Sequence, residues 1–177
     1  LPLFIFDENI LKELPENDPR VSFIYESLKK INDKLGSLGS GLKVINGKPE
    51  LVWKELQKQY DIKEVYFNND YDPDSINRDA GISELLAKNN VLTHSYKDHV
   101  IFEKEEVIKR NGQPYTSFSH YKRKWLSLFN KDMVIPLPDP DLGKFLKFNE
   151  KFPTLSELNL SESEIKVSPY SLKILDN

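Results

Sequence analysis

Four short apolar runs constrain the fold of this 177-residue chain more than any other feature of its sequence. They lie at Leu3–Phe6, Leu42–Ile45, Glu64–Phe67 and Val91–His94, each bounded by polar or turn residues. Runs of this length are typical of buried parallel strands. Segments with helical spacing separate the runs, at about thirty residues per strand-helix-strand unit. This alternation predicts an α/β fold, a Rossmann-like three-layer sandwich with a parallel sheet.

The segments with helical spacing predict four helices. Their predicted ranges are Arg20–Leu38, Pro49–Tyr60, Pro73–Lys88 and Ser117–Asn130. Apolar residues that recur every three or four positions are expected to face the core. They are Phe23, Ile24, Leu28, Ile31 and Leu35 in the first helix, Leu51, Val52, Leu56 and Tyr60 in the second, and Ile76, Ala80, Ile82, Leu85 and Leu86 in the third. Gly36 and Gly39 are expected to end the first helix.

Composition narrows the class of protein. The chain has no cysteine, which excludes disulfides and thiolate chemistry and is compatible with the cytoplasmic location that we expect. No apolar run approaches the length of a membrane span. Domains that mainly bind nucleic acid are usually basic, so the formal net charge of −3 does not indicate such a domain. From residue 131 onward, prolines and weak periodicity predict a linker or wrapping arm instead of a second core.

The sequence FNNDYDPDSINRD, residues 67–79, contains four aspartates where a predicted strand ends and a predicted helix begins. Ligands of doubly wound sheets bind outside the carboxyl ends of strands, so the cluster is a candidate ligand site. A calcium loop is excluded because Ser75 and Gly81 stand where that loop requires glycine and glutamate. The alternative is that Asp72 or Asp74 caps the helix and the other carboxylates are solvated. Both interpretations stay open for the cluster.

A second polar loop, FDEN at residues 6–9, ends the first strand and is expected at the same sheet edge. Its alternative is again a helix cap or a tight turn. The histidines His94, His99 and His120 lack the spacing of a metal site. No nucleophile motif occurs, so the residues predict a binding domain without a visible catalytic set.

HYKRKW, residues 120–125, mixes basic and aromatic side chains on a predicted helix. Lys122, Arg123 and Lys124 could contact a phosphate backbone. The alternative interpretation is a helix with one solvated basic face, and with Tyr121 and Trp125 packed inward.

Several motifs follow one another along the chain. They are FIFD (4–7), R-x-x-F-x-x-E-S-L (20–28), L-G-S-x-L-x-V-x-x-G-x-P (38–49), V-Y-F-N-x-D-Y-x-P-x-x-x-x-R-D (65–79), D-H (98–99), G-x-P-Y-x-x-F (112–118) and W-L (125–126). In this order they resemble the N-terminal α/β domain of the DNA photolyase and cryptochrome family. The resemblance covers residues 1 to about 130 and implies that residues 1–130 form an antenna domain. Residues 131–177 would then be the interdomain linker or wrapping arm.

The resemblance also implies ligands and site residues. In this family the α/β domain holds a light-harvesting antenna chromophore, and a larger helical domain holds FAD and repairs pyrimidine dimers in DNA. Members with a flavin or deazaflavin antenna use residues that correspond here to Phe6, Asp7, Ile10, Arg20, Asp70 and Asp72, with Arg78 close by. Folate-binding members have an Asn-Glu pair where this chain has Asp74 and Ser75, which favours a flavin-type antenna over folate.

Two departures from the family pattern accompany the resemblance. The chain starts at what corresponds to the family's second strand, so we expect the first strand to be absent from this sequence or replaced by another chain. We expect the FAD-binding helical domain to be absent from this sequence too. The fragment alone is therefore not expected to be catalytic, and damaged DNA would be a partner only of the full-length lyase. Alternatives are the same domain of a cryptochrome blue-light receptor, or an unrelated nucleotide-binding α/β domain.

Overall fold

The structure is a computed structural model that describes residues 1–135, 144–148 and 150–164. The four predicted strands form in two parallel pairs. β1 (Leu3–Asp7) pairs with β2 (Lys43–Gly47), and β3 (Glu64–Asn68) pairs with β4 (Leu92–Tyr96). The prediction of an α/β fold with parallel strands is confirmed. No backbone ladder joins the two pairs in the described ranges. The absence of a first family strand stays a prediction.

The four predicted helices begin and end within two residues of their predicted limits, and a short helix that was not predicted follows β1. The helices are α1 (Glu8–Leu11), α2 (Pro19–Gly36), α3 (Pro49–Gln59), α4 (Pro73–Ala87) and α5 (Phe118–Leu128), followed by a 3-10 helix (Lys131–Val134). α2, α3 and α4 each begin at a proline, whose missing N–H costs nothing in a first turn. After α2 the chain turns through Gly39, whose φ of +73° is accessible to glycine.

The chain divides into two compact units. One comprises Leu1–Leu56 with Asp141–Asn177, and the other comprises Gln57–Pro140. The described part has no helix with both the length and the apolar composition needed to cross a membrane.

The core of the first unit lies between α2 and the β1–β2 pair. Its buried residues are Phe6, Val21, Tyr25, Leu28, Leu35, Leu42, Val44 and Leu158. The predicted face of α2 was partly wrong, because Phe23 and Ile31 are exposed and Val21 and Tyr25 are buried instead. Successive helical residues are about 100° apart, so a shift of two positions moves a side chain to the opposite face.

The C-terminal segment contributes to this first unit. Leu158 and Phe148 are buried, and the side-chain amide of Asn46 donates a hydrogen bond of 2.5 Å to the carbonyl oxygen of Leu158. The backbone N–H of Ser163 donates to the hydroxyl oxygen of Ser22 at 2.9 Å. The described residues from 144 onward therefore pack on the first unit instead of forming a separate core.

The core of the second unit is formed by α4, β4 and the chain that follows them. Its buried residues are Ile82, Leu86, Val91 and Val107, and Leu86 is completely inaccessible. In this unit the prediction that Ile76 and Ala80 face the core was wrong, since both are exposed. Ala80 lies about 200° around the helix from Ile82.

Leu51, which lies on α3 in the first unit, is also exposed, contrary to the prediction, because Val52 and Leu56 occupy the buried face of this helix.

Strands β3 and β4 are not buried on both faces, which corrects the prediction for these two runs. Along β3, Glu64, Tyr66 and Asn68 are exposed, whereas Val65 and Phe67 are partly buried. On the exposed face the Tyr66 ring stacks on the ring of His94, with centroids 4.8 Å apart. The alternation arises because a helix, α4, packs on this pair.

Candidate functional site

The first polar loop follows β1 in the first unit. Asp7 ends β1 and caps α1, where its side chain accepts a hydrogen bond from the backbone N–H of Asn9 at 2.8 Å. Ile10, on α1, is half exposed. Phe6 belongs to the core, where its ring meets the ring of Phe4 edge-on at 5.0 Å. The Asp7 and Ile10 side chains are therefore accessible to solvent at least in part, whereas Phe6 is buried in the core.

Arg20 is held by Asp18 at the start of α2. Its Nε donates to Asp18 Oδ1 at 2.9 Å and its Nη2 donates to Asp18 Oδ2 at 2.6 Å. The same carboxylate caps the helix by accepting a bond from the backbone N–H of Arg20 at 2.8 Å. These hydrogen bonds from Arg20 lower the pKa of Asp18 from 3.8 to about 2. Sequence reasoning named Arg20 and missed Asp18, although an acidic residue before Pro19 is a cap signal.

The second polar loop follows β3 in the second unit. Asp70 accepts hydrogen bonds from the backbone N–H groups of Tyr71 and Asp72, at 2.6 and 3.2 Å. The bonds from Asp72 and Tyr71 lower the pKa of Asp70, with further contributions from the Ser75 side chain and the charge of His99. Asp70 is thus ionised and fixed at neutral pH. It can accept hydrogen bonds from ligand hydroxyls only through lone pairs that these donors leave free.

Asp72 takes the cap position of α4, as one alternative predicted, but its side chain makes no cap hydrogen bond. Its carboxylate is exposed, at the N-terminus of a helix that also carries Asp74 in its first turn. Arg78, further along α4, is partly buried and paired with its neighbour Asp79. Its Nε lies 2.9 Å and its Nη2 2.8 Å from the same carboxylate oxygen. A ligand that contacts Arg78 would therefore meet a guanidinium that is already paired with Asp79.

A polar network that the sequence did not reveal joins this loop to the chain after β4. The side-chain amide of Asn69 donates to the carboxylate of Glu103 at 3.0 Å. Glu106 accepts a bond from the backbone N–H of Glu103 and pairs with Lys97 at 2.8 Å. Burial and the neighbouring Glu103 carboxylate raise the pKa of Tyr71 to about 12. Glu103 and Glu106 lie more than thirty residues from the loop, so no local pattern announces them.

The predicted site residues therefore fall in two groups, one in each compact unit. The loop after β1 and the start of α2 carry Asp7, Ile10 and Arg20, and the loop after β3 with α4 carries Asp70, Asp72 and Arg78. The first group combines one carboxylate with one arginine, and the second combines two carboxylates with one arginine, which suits a polar organic ligand with both donors and acceptors. Across the described ranges, no group of three or more His, Asp or Glu side chains is placed to hold a metal ion.

The basic stretch on α5 is exposed at Lys122 and Arg123 and partly buried at Lys124. Trp125 packs between two rings, edge-on to Phe102 at 5.3 Å and stacked on Phe129 at 5.0 Å. Tyr121 does not pack inward as predicted. It is exposed, and no residue of α5 is fully buried.

The sequence of the whole chain was compared with those of known proteins. The DNA photolyase family model matches residues 1–141. A deoxyribodipyrimidine photo-lyase of Halobacterium salinarum is 30% identical over 168 residues, 93% of this chain and 34% of that protein. Cryptochrome-2 of Arabidopsis thaliana is 29% identical over 114 residues, 64% of this chain and 19% of that protein. The chain thus spans about a third or less of these two relatives.

Two solved structures that resemble this chain are photolyases. A class III photolyase of Agrobacterium tumefaciens superposes with a TM-score of 0.69 at 19% identity, covering 93% of this chain and 31% of that one, which shows the shared fold. An archaeal photolyase of Sulfolobus tokodaii gives a TM-score of 0.55 at 32% identity, covering 62% of this chain and 26% of that one. With its parallel strand pairs, its strand-end loops and a family match over most of its length, the chain belongs to the DNA photolyase family.

Proposed function

We propose that residues 1–130 form the antenna-binding α/β domain of a light-driven deoxyribodipyrimidine photolyase, and that residues 131–177 form its linker or wrapping arm. The observation that carries the proposal is the placement of Asp7 and Asp70. Asp7 is the last residue of β1 and Asp70 comes two residues after β3, so both lie at the carboxyl ends of parallel strands, where α/β domains bind their ligands. Family membership supplies the reason to expect a chromophore there.

The ligand that we propose is a flavin or deazaflavin chromophore. Phe6, Asp7, Ile10, Arg20, Asp70, Asp72 and Arg78 are the residues proposed to hold it. Carboxylates suit ribityl hydroxyls, which donate hydrogen bonds, and a guanidinium suits ring carbonyls or nitrogens, which accept them. When bound, the chromophore would absorb light, and this chain's residues would bind and orient it. The Sulfolobus tokodaii structure is described as holding two FAD molecules and as implying a novel light-harvesting cofactor, which supports a flavin-type ligand.

Repair of pyrimidine dimers would belong to the whole protein. We propose that a helical domain outside this chain binds FAD and acts as a carbon-carbon lyase on damaged DNA in the cytoplasm, and that the chain alone is not catalytic. A minor contact with DNA would come from Lys122, Arg123 and Lys124, of which the first two are exposed. The overall charge of −3 limits that contact.

A second candidate is the same domain of a cryptochrome, which the 29% identity to Cryptochrome-2 of Arabidopsis thaliana favours. The two candidates share the α/β domain and differ in what the rest of the protein does. Light-dependent loss of pyrimidine dimers in the full-length protein separates them. Dimer repair supports the photolyase, and light-induced change without repair supports the receptor.

The antenna site is tested by titrating riboflavin into the full-length protein, with the FAD site already filled, and following flavin fluorescence. Arg20→Ala and Asp70→Ala should each weaken binding about tenfold or more, since each removes a charged hydrogen-bonding partner. Asp74→Ala is the matched control, because Asp74 is exposed and lies in the same loop-helix region. Unchanged affinity in both test variants would remove these two residues from the site.

A further inference from the structure

We propose that Asp18 is a positioning residue that turns Arg20 into a receptor for a pair of neutral, coplanar acceptors on a chromophore ring, in preference to a phosphate. The inference rests on the proposed antenna function and names what part of the ligand the first unit recognises.

The Asp18–Arg20 contact uses one specific edge of the guanidinium. Nε and Nη2 meet the two carboxylate oxygens at 2.9 and 2.6 Å, a side-on fork that consumes two of five N–H donors. Of the other three donors, one on Nη2 and one on Nη1 lie parallel on the end-on edge, and the second on Nη1 points toward the Cδ side. The described residues give this edge no partner, and the Arg20 side chain is 68% exposed. Two parallel donors are thus open to a ligand.

The carboxylate that holds this fork is itself fixed. Asp18 has only 5% of its surface exposed, and its backbone N–H donates to the carbonyl oxygen of Pro15 at 3.1 Å. Its side chain also caps α2, just before the rigid Pro19. A long arginine side chain loses rotamer freedom when it binds a ligand, which costs about 0.5–1.5 kcal/mol. Asp18 removes much of that cost before the ligand arrives.

The same contact lowers the charge that a ligand would meet. Because the pKa of Asp18 lies near 2, the carboxylate is ionised at neutral pH and cancels the arginine charge at hydrogen-bond distance. A phosphate would approach an almost neutral pair with a carboxylate beside it. A ring carbonyl next to a ring nitrogen needs two parallel donors and no net charge, which is what the open edge offers. The pyrimidine ring of a flavin or deazaflavin has this pair.

A purely structural role for Asp18 is the cap of α2, and two variants separate the two roles. Asp18→Ser and Asp18→Asn both keep a good helix cap. Serine is too short to reach the guanidinium, and asparagine offers it one neutral oxygen instead of two charged ones. Neither variant should lose the fold, and a thermal melt of each checks that it has not.

The experiment titrates riboflavin and its 5′-phosphate, FMN, into the full-length protein with its FAD site filled. We expect Asp18→Ser and Asp18→Asn to weaken riboflavin binding about three- to tenfold, which corresponds to the rotamer cost. Arg20→Ala should weaken it further, and each variant should lower riboflavin and FMN affinity by the same factor. Lys30→Ala is the control, since it removes one exposed positive charge from the same helix.

Three outcomes would count against the proposals in distinguishable ways. Full riboflavin affinity in both Asp18 variants, with Arg20→Ala impaired, leaves Asp18 as a helix cap only and overturns this inference alone. An Arg20→Ala effect confined to FMN shows phosphate recognition and also overturns this inference alone. A wild-type protein that binds neither riboflavin, FMN nor 5-deazariboflavin overturns the antenna function and this inference with it.

Discussion

The phenol hydroxyl of Tyr25 donates a 3.0 Å hydrogen bond to the backbone carbonyl oxygen of Pro153, 128 positions later in the chain. The Tyr25 ring also packs against Phe152, with centroids 5.5 Å apart. Tyr25 on α2 thus contacts the C-terminal segment through both a hydrogen bond and an aromatic ring contact.

Loss of this hydrogen bond should lower stability. Tyr25→Phe removes the hydroxyl and keeps the ring, so the free energy of unfolding should fall by about 0.5–1.5 kcal/mol. Urea denaturation followed by circular dichroism measures the change. Tyr121→Phe, at an exposed ring on α5, is the control and should stay within about 0.5 kcal/mol of wild type. Equal values for both variants would show that the Tyr25 hydroxyl contributes nothing.

The C-terminal segment packs closely against the backbone at Gly41. A Cβ atom there would lie 2.7 Å from Cδ1 of Phe148 and 3.3 Å from the side-chain oxygen of Asn32. Gly41→Ala should therefore destabilise the protein by about 1–3 kcal/mol, through overpacking. Gly36→Ala is the contrasting variant, since no atom lies within 4 Å of its added Cβ. There the gain in helix propensity should stabilise the protein by about 0.5–1 kcal/mol. Thermal melts of both variants decide, and a neutral Gly41→Ala would contradict the packing.

Truncation of Leu86 should destabilise the protein more than truncation of the exposed Leu51. Leu86 is completely buried in the second unit, so Leu86→Ala should destabilise by about 2–5 kcal/mol through lost burial and the cavity it leaves. Leu51→Ala, at a helical leucine 60% exposed, should change stability by less than about 0.5 kcal/mol. Denaturant titration of both variants measures the contrast. Similar losses in the two would contradict the assigned burial.

Asp18 should make stability depend on pH in acid. Its pKa falls from 3.8 to about 2 on folding, so the ionised carboxylate stabilises the folded state above pH 3.8. That contribution should disappear as the pH falls from about 4 to 2. The stability difference between wild type and Asp18→Asn should thus be largest at pH 5–7 and shrink over this window. A difference that stays constant from pH 7 to pH 2 would show that the pKa is not depressed.

Two features of the candidate site show how far sequence reasoning reaches. The polar loops after β1 and β3 were predictable because apolar runs end sharply at Asp7 and in the cluster that starts at Phe67. The side chains that pair with Arg20 and Asn69 were harder to predict. Asp18 was visible only as a cap signal, and Glu103 joins Asn69 across 34 positions, a contact that no local pattern encodes.

By itself, the sequence determined the order of the four strands and of helices α2 to α5, the parallel pairing of the strands and the polar loops. Each follows from local periodicity, prolines at helix starts and turn residues. Only the tertiary structure decided which side of α2 is buried, that Tyr66 stands on an exposed face and that Leu158 enters the first core. The physical reason is that burial depends on which surfaces meet, and the partners that cover a helix or a strand come from distant parts of the chain.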